Sequence, residues 1–143
     1  MTTATPATKP VLTADAARAG VNAALAKAVE MGLAVTVSVV DEGGTPKALW
    51  RMDGAPLVSV ETAGLKAYSA AAIGLATDDF FTAISADPAA VASFGTRPGL
   101  ALIAGGVPLR VGGVLVGGVG VAGAMTGAAD RAIADAAAAA ATA

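Results

Sequence analysis

A chain of 143 residues is the size of one ordinary domain and long enough to bury a core. Its formal charge of −2, with no run of Lys or Arg, lacks the basic footprint that a nucleic-acid binder needs to neutralise phosphates. The absence of Cys and His removes disulfides, thiolate and imidazole ligands, and the commonest general base.

Residues 1–12 are polar, carry two prolines and show no basic-then-apolar leader pattern, so they read as a disordered tail before a single domain over 13–143. Thr13 to about Met31 reads as a helix: Ala17, Val21, Ala24, Leu25 and Ala28 recur at helical spacing, Thr13 or Asp15 caps the start, and Gly32 stops it. The β-branched run Ala34–Val40 predicts a strand, the DEGGTP segment a turn, and Lys47–Met52 a second strand close enough to pair as a hairpin. A long alanine-rich helix follows from about Ser59 to Leu75, with a pause at Gly74. Thr77, Asp78 and Asp79 read as the cap and acidic first turn of a shorter helix ending near Ala86. Ala89–Gly99 reads as irregular, with room for one helical turn. Three short apolar runs, Leu100–Ala104, Pro108–Val111 and Val114–Val121, are separated by Gly105-Gly106 and Gly112-Gly113, which reads as a three-strand meander. A final alanine-rich helix covers about Ala128–Ala141.

Most strand links are too short for parallel crossovers. The expected fold is therefore α/β of the α+β type, with a five-stranded, mainly antiparallel sheet flanked by helices. Hydrophobic residues make up 55% of the chain and charged ones 14%, and the apolar residues are mostly small. A monomer of that composition leaves apolar surface in water, so a homo-oligomer is expected. The uncharged stretch Val111–Met125 is shorter than the roughly 20 residues a membrane span needs and is rich in glycine. No membrane contact is expected, and the cytoplasm is the expected compartment.

Gly118-Val119-Gly120-Val121-Ala122-Gly123 fits G-x-G-x-x-G, but only one helix follows it, so the second strand of a dinucleotide fold has no place. Those glycines read as close-packing positions on a strand. Charge concentrates between Asp41 and Lys66, which holds Asp41, Glu42, Lys47, Arg51, Asp53 and Glu61 as well. Strand ends and a helix start fall there, and the sequence places them on one rim of the sheet. Arg51 there can clamp a carboxylate with two donors, and the helix start at Ser59 can receive an anion. The competing reading is a structural Asp–Arg pair that fixes a loop, with Ser59 as a plain cap. Lys66 shares a stripe with Ala63, Ala67 and Ala70, where it lines a pocket wall or snorkels to solvent, and its long stem favours snorkelling. Met31, Met52, Met125 and Tyr68 are the conventional candidates for iron ligation, against the commoner role of methionine as core filler. No metal site is expected from the carboxylates.

The run VSVVDEGGTPKALWRMDGAPLVSVETAGLKAYSAA carries Asp-x-Gly-Gly, then Arg-x-Asp-Gly-Ala, a Ser, and Lys-Ala on a helix. The run GGVPLRVGGVLVGGVGVAGAMTGAAD carries Gly-Gly-x-Pro, a glycine-rich strand and an Asp opening the last helix, at Asp130. Together they resemble the GlcG-like and HbpS-like haem-binding (haem-degrading) domain family over about residues 13–140. The resemblance implies a profilin-like fold, high-order homo-oligomers such as octamers, and haem or iron binding in some relatives. Two departures stand out: Ala122 replaces a serine common in the family, and the missing His rules out His-ligated haem.

The function expected is small-ligand binding, of haem or a small anionic metabolite, through Asp41, Arg51, Asp53, Ser59 and Lys66. The alternative is an isomerase or lyase acting on a small oxo or hydroxy acid, with Arg51 holding the carboxylate and Lys66 or Asp41 moving a proton. A purely structural oligomer is the third reading.

Overall fold

The first helix, α1 (Ala14–Glu30), starts where the Thr13 hydroxyl oxygen accepts the Ala16 N–H at 3.1 Å, so Thr13 and not Asp15 is the cap. The computed structural model describes residues 2–143. After α1 come β1 (Thr36–Asp41), β2 (Pro46–Arg51), α2 (Val58–Ile73), α3 (Thr77–Ile84), α4 (Pro88–Gly95), β3 (Gly106–Val111), β4 (Val114–Ala122) and α5 (Gly127–Ala141). The strands form one sheet in the order β2-β1-β4-β3, with every pairing antiparallel.

Turn chemistry explains the connections. One Asp41 carboxylate oxygen accepts the N–H groups of Gly43 and Thr45, each at 3.0 Å, and closes the β1–β2 turn. Gly112 and Gly113 both have positive φ, as a two-residue hairpin turn demands between β3 and β4. Gly74, at φ +79°, takes the left-handed position that ends α2. Asp87 accepts the Ala89 and Ala90 N–H groups, and with Pro88 in the first turn this starts α4 in a stretch that the sequence suggested was irregular.

The sheet has four strands, not five. Leu100–Ala104 pairs with no strand, because its backbone is held by side chains instead. Ala101 N–H donates to Ser69 Oγ at 2.9 Å, and Ile103 C=O accepts from Thr77 Oγ1 at 2.6 Å. Gly105-Gly106 is therefore not a hairpin link. Thr77 is likewise not a cap. It is buried, and its hydroxyl also accepts the Gly106 N–H, pinning that segment to α3.

Alternation along the strands makes two layers of core. Val37, Val39, Val119 and Val121 face α1 and α5, where Ala17, Ala24, Ile133, Ala134 and Ala137 complete the larger cluster. Val40, Gly118 and Gly120 face α2, whose Ala63, Ala67 and Ala71 lie against them. The residue size on that side sets the distance: a Cβ built on Gly120 would stand 2.0 Å from the Ala63 carbonyl oxygen. The glycines of the apparent dinucleotide motif thus bring helix and sheet backbones together. Leu12, at the end of the expected tail, is buried beside Gly117, and Lys9 pairs with Glu42 at 2.8 Å. No helix among the described residues is long and apolar enough to cross a membrane.

Candidate functional site

Lys66 is the largest side chain fully buried in the domain, at 1% exposure. It does not snorkel. Its Nζ donates to the Val121 carbonyl oxygen and to Asp130 Oδ2, each at 2.9 Å. A buried ammonium is tolerated only with a close counter-charge, and Asp130, itself buried, supplies it. The other Asp130 oxygen accepts the Ala124 N–H at 3.0 Å, so one carboxylate joins α2, the end of β4 and the start of α5. Gly105 leaves room for this pair: a Cβ there would lie 2.8 Å from Lys66 Nζ and 2.5 Å from Val121 O. The sequence offers Asp130 only as the acid opening the last helix, and nothing in it points to the Lys66 pairing. A capping role already explains an Asp in the first turn of that helix.

The pair forms part of the wall of a pocket of about 680 Å³, within the range of small-molecule sites. Ser59 lines it too. Its hydroxyl donates to the Pro56 carbonyl and so accepts from Thr36 Oγ1 at 2.7 Å, which ties α2 to β1. Apolar side chains make up most of the wall: Val58, Phe81, Leu102, Ile103, Ala122 and Met125. Leu102 and Ile103 can do so because their segment left the sheet. Asp78 stands at the side, paired with Arg131 at 2.7 Å. Burial works to lower the Arg131 pKa, but hydrogen bonds and charge from Asp135 and Asp78 outweigh it and hold the guanidinium above its ordinary value.

The remaining expected site residues are not in this lining. In an antiparallel hairpin the end of the first strand lies opposite the start of the second. Arg51 pairs with Thr36, so Asp41 and Arg51 stand a strand length apart, about 16 Å at the usual rise. The single rim expected for both does not form. Asp41 holds its own turn, and Arg51 donates through Nε and one terminal nitrogen to the Ala55 carbonyl oxygen at 3.1 and 2.8 Å, fixing the loop before α2. The loop-fixing role is thus filled by a backbone carbonyl and not by an Asp–Arg pair. Asp53 is exposed in that loop. A second, smaller cleft is lined by Tyr68, Phe80, Phe94 and Arg97. Among the described residues no cluster of carboxylates is arranged to hold a metal ion.

Comparison with known proteins is consistent with this architecture. HbpS from Streptomyces reticuli, solved as a double mutant, is 34% identical over 94% of this chain and 89% of its own, with a TM-score of 0.84. Protein ORFY from Klebsiella pneumoniae is 27% identical over 98% and 97% of the two chains, with a TM-score of 0.87. The PduOC:heme complex is 31% identical over 92% and 95%, with a TM-score of 0.83. The corrinoid adenosyltransferase PduO of Citrobacter freundii is 42% identical over 62 residues, which are 43% of this chain and only 18% of that protein. The model of the family described as haem-degrading protein HbpS-like matches residues 12–139, and the chain belongs to that family.

Proposed function

We propose that the protein binds, in the pocket beside Lys66, a small ligand with an apolar body and a carboxylate, and that haem is its first candidate. One observation carries this reading: an apolar cavity of about 680 Å³ has a buried ammonium in its wall. An ammonium has three N–H donors, and the protein supplies acceptors for two of them. The third is free for a carboxylate. Haem matches that chemistry, with an apolar ring for Phe81, Leu102 and Ile103 and propionates for Lys66. The family's description and the haem complex of a similar protein support the same candidate. The isomerase or lyase alternative, with Arg51 holding the carboxylate and Lys66 or Asp41 moving a proton, has less support, because Arg51 is absent from the lining beside Lys66 and lies a strand length from Asp41.

Titration of the protein with haemin, followed in the Soret region, is expected to give a saturable, stoichiometric change that survives competition by albumin. Lys66→Met is expected to weaken it at least tenfold, the scale of one lost charge-assisted hydrogen bond. A linear, unsaturable response would remove haem from the reading, leaving small aromatic and aliphatic carboxylates to be tried on the same variant pair.

We also propose a homo-oligomer, of high order such as an octamer. Its support is the exposed edge strand β2, where Leu49 and Trp50 are both about half exposed in a chain poor in charge. Light scattering of the wild type should give a multiple of the 13.6 kDa chain mass, and Trp50→Lys should lower it.

A further inference from the structure

Met125 is the only non-glycine residue among those described that has a positive φ, at +71°. It lies between β4 and the Thr126 cap of α5, and its side chain is 90% exposed at the mouth of the pocket. A left-handed backbone is uncommon for a side chain larger than Asn or Asp, and such strain concentrates where function holds it. A long apolar side chain projecting into water adds a second departure from the ordinary, because exposure forfeits its burial.

The donors that iron accepts are few in this chain. His and Cys are absent. Met52 is half-buried, and its sulfur accepts the Val35 N–H at 3.4 Å. Met31 sits at the C-terminal cap of α1, outside the pocket lining. Tyr68 lines the other cleft, its ring against Gly44 and Gly99. Lys66 Nζ is engaged by Asp130 and Val121. Within the pocket lining, Met125 alone presents a soft donor atom with no partner in the protein.

We infer that Met125 is an axial ligand to the iron of haem held in this pocket, and that its left-handed backbone is kept for that purpose. The inference rests on the haem reading above. A thioether raises the reduction potential of haem iron relative to harder ligands.

Two variants test it. Met125→Leu keeps the apolar bulk and removes the sulfur. It is expected to bind haemin still, but with a shifted Soret maximum, without the sulfur-to-iron charge-transfer band of the ferric form, and with a lower reduction potential. Met125→Gly accepts the positive φ freely and is expected to raise the thermal midpoint of the ligand-free protein by a few degrees while showing the same spectral losses. If Met125→Leu keeps the wild-type spectrum and potential, the ligand assignment is overturned while the haem reading stands. If the wild type takes up no haemin saturably, both fall together. A Met125→Gly protein that melts at or below the wild type overturns the claim that the backbone there is held against its preference.

Discussion

Replacing Asp130 with Ala is expected to destabilise the protein by about 3–5 kcal/mol, because it leaves the Lys66 ammonium buried without its counter-charge. That is a large share of the roughly 5–15 kcal/mol that holds a domain folded. The loss has two parts. The charge of Lys66 stays buried in the pocket wall beside Gly105 and Val121, and the Ala124 N–H loses its acceptor. The double variant Lys66→Met with Asp130→Asn separates them. It removes both charges and keeps an oxygen for Ala124, so it should recover much of the loss, as replacement of a buried pair by neutral groups commonly does. Urea unfolding of the single and double variants measures how much of the loss is recovered. A single-variant loss below about 1 kcal/mol would mean that water in the pocket compensates the Lys66 charge without Asp130.

Gly120→Ala is expected to cost about 3 kcal/mol or more. The new methyl would stand 2.0 Å from Ala63 O and 2.5 Å from Ala67 N, both backbone atoms that no rotamer change can move. Helix α2 would have to lift from the sheet, carrying Lys66 and Ser59 with it. The same substitution at Gly64 is the control. That residue lies on α2 with nothing within 4 Å of a Cβ, so alanine there should stabilise by up to about 1 kcal/mol through helix propensity alone. Unfolding midpoints that move in the same direction for both variants would contradict the packing described.

The elements were legible where local chemistry dictates them. Thr13, Gly74, Gly112 and Gly113 fix helix and turn boundaries through their own backbone or cap, and the sequence places them well. The segment Leu100–Ala104 misled because an apolar run between glycines reads as a strand whether its partner is a ladder or two hydroxyls. Ser69 and Thr77, which hold it, lie in other helices. The site was half legible. Ser59 and Lys66 line the pocket, but the partner of Lys66 is 64 positions away, and no spacing rule links them. Arg51 and Asp41 are a different case, since antiparallel pairing alone would have put them at opposite ends. Small residues around Lys66 were visible as a stripe. Their consequence, a helix too close to the sheet for a lysine to escape to solvent, depends on glycines in a strand more than 50 residues further on.

The contact between α2 and β4 also has a thermal consequence. Alanine and glycine have no side-chain rotamers to freeze, so closing this layer forfeits little conformational entropy beyond that of the backbone. They also hide little apolar area, and the heat capacity gained on unfolding scales with that area. This layer therefore adds little to the curvature of stability with temperature.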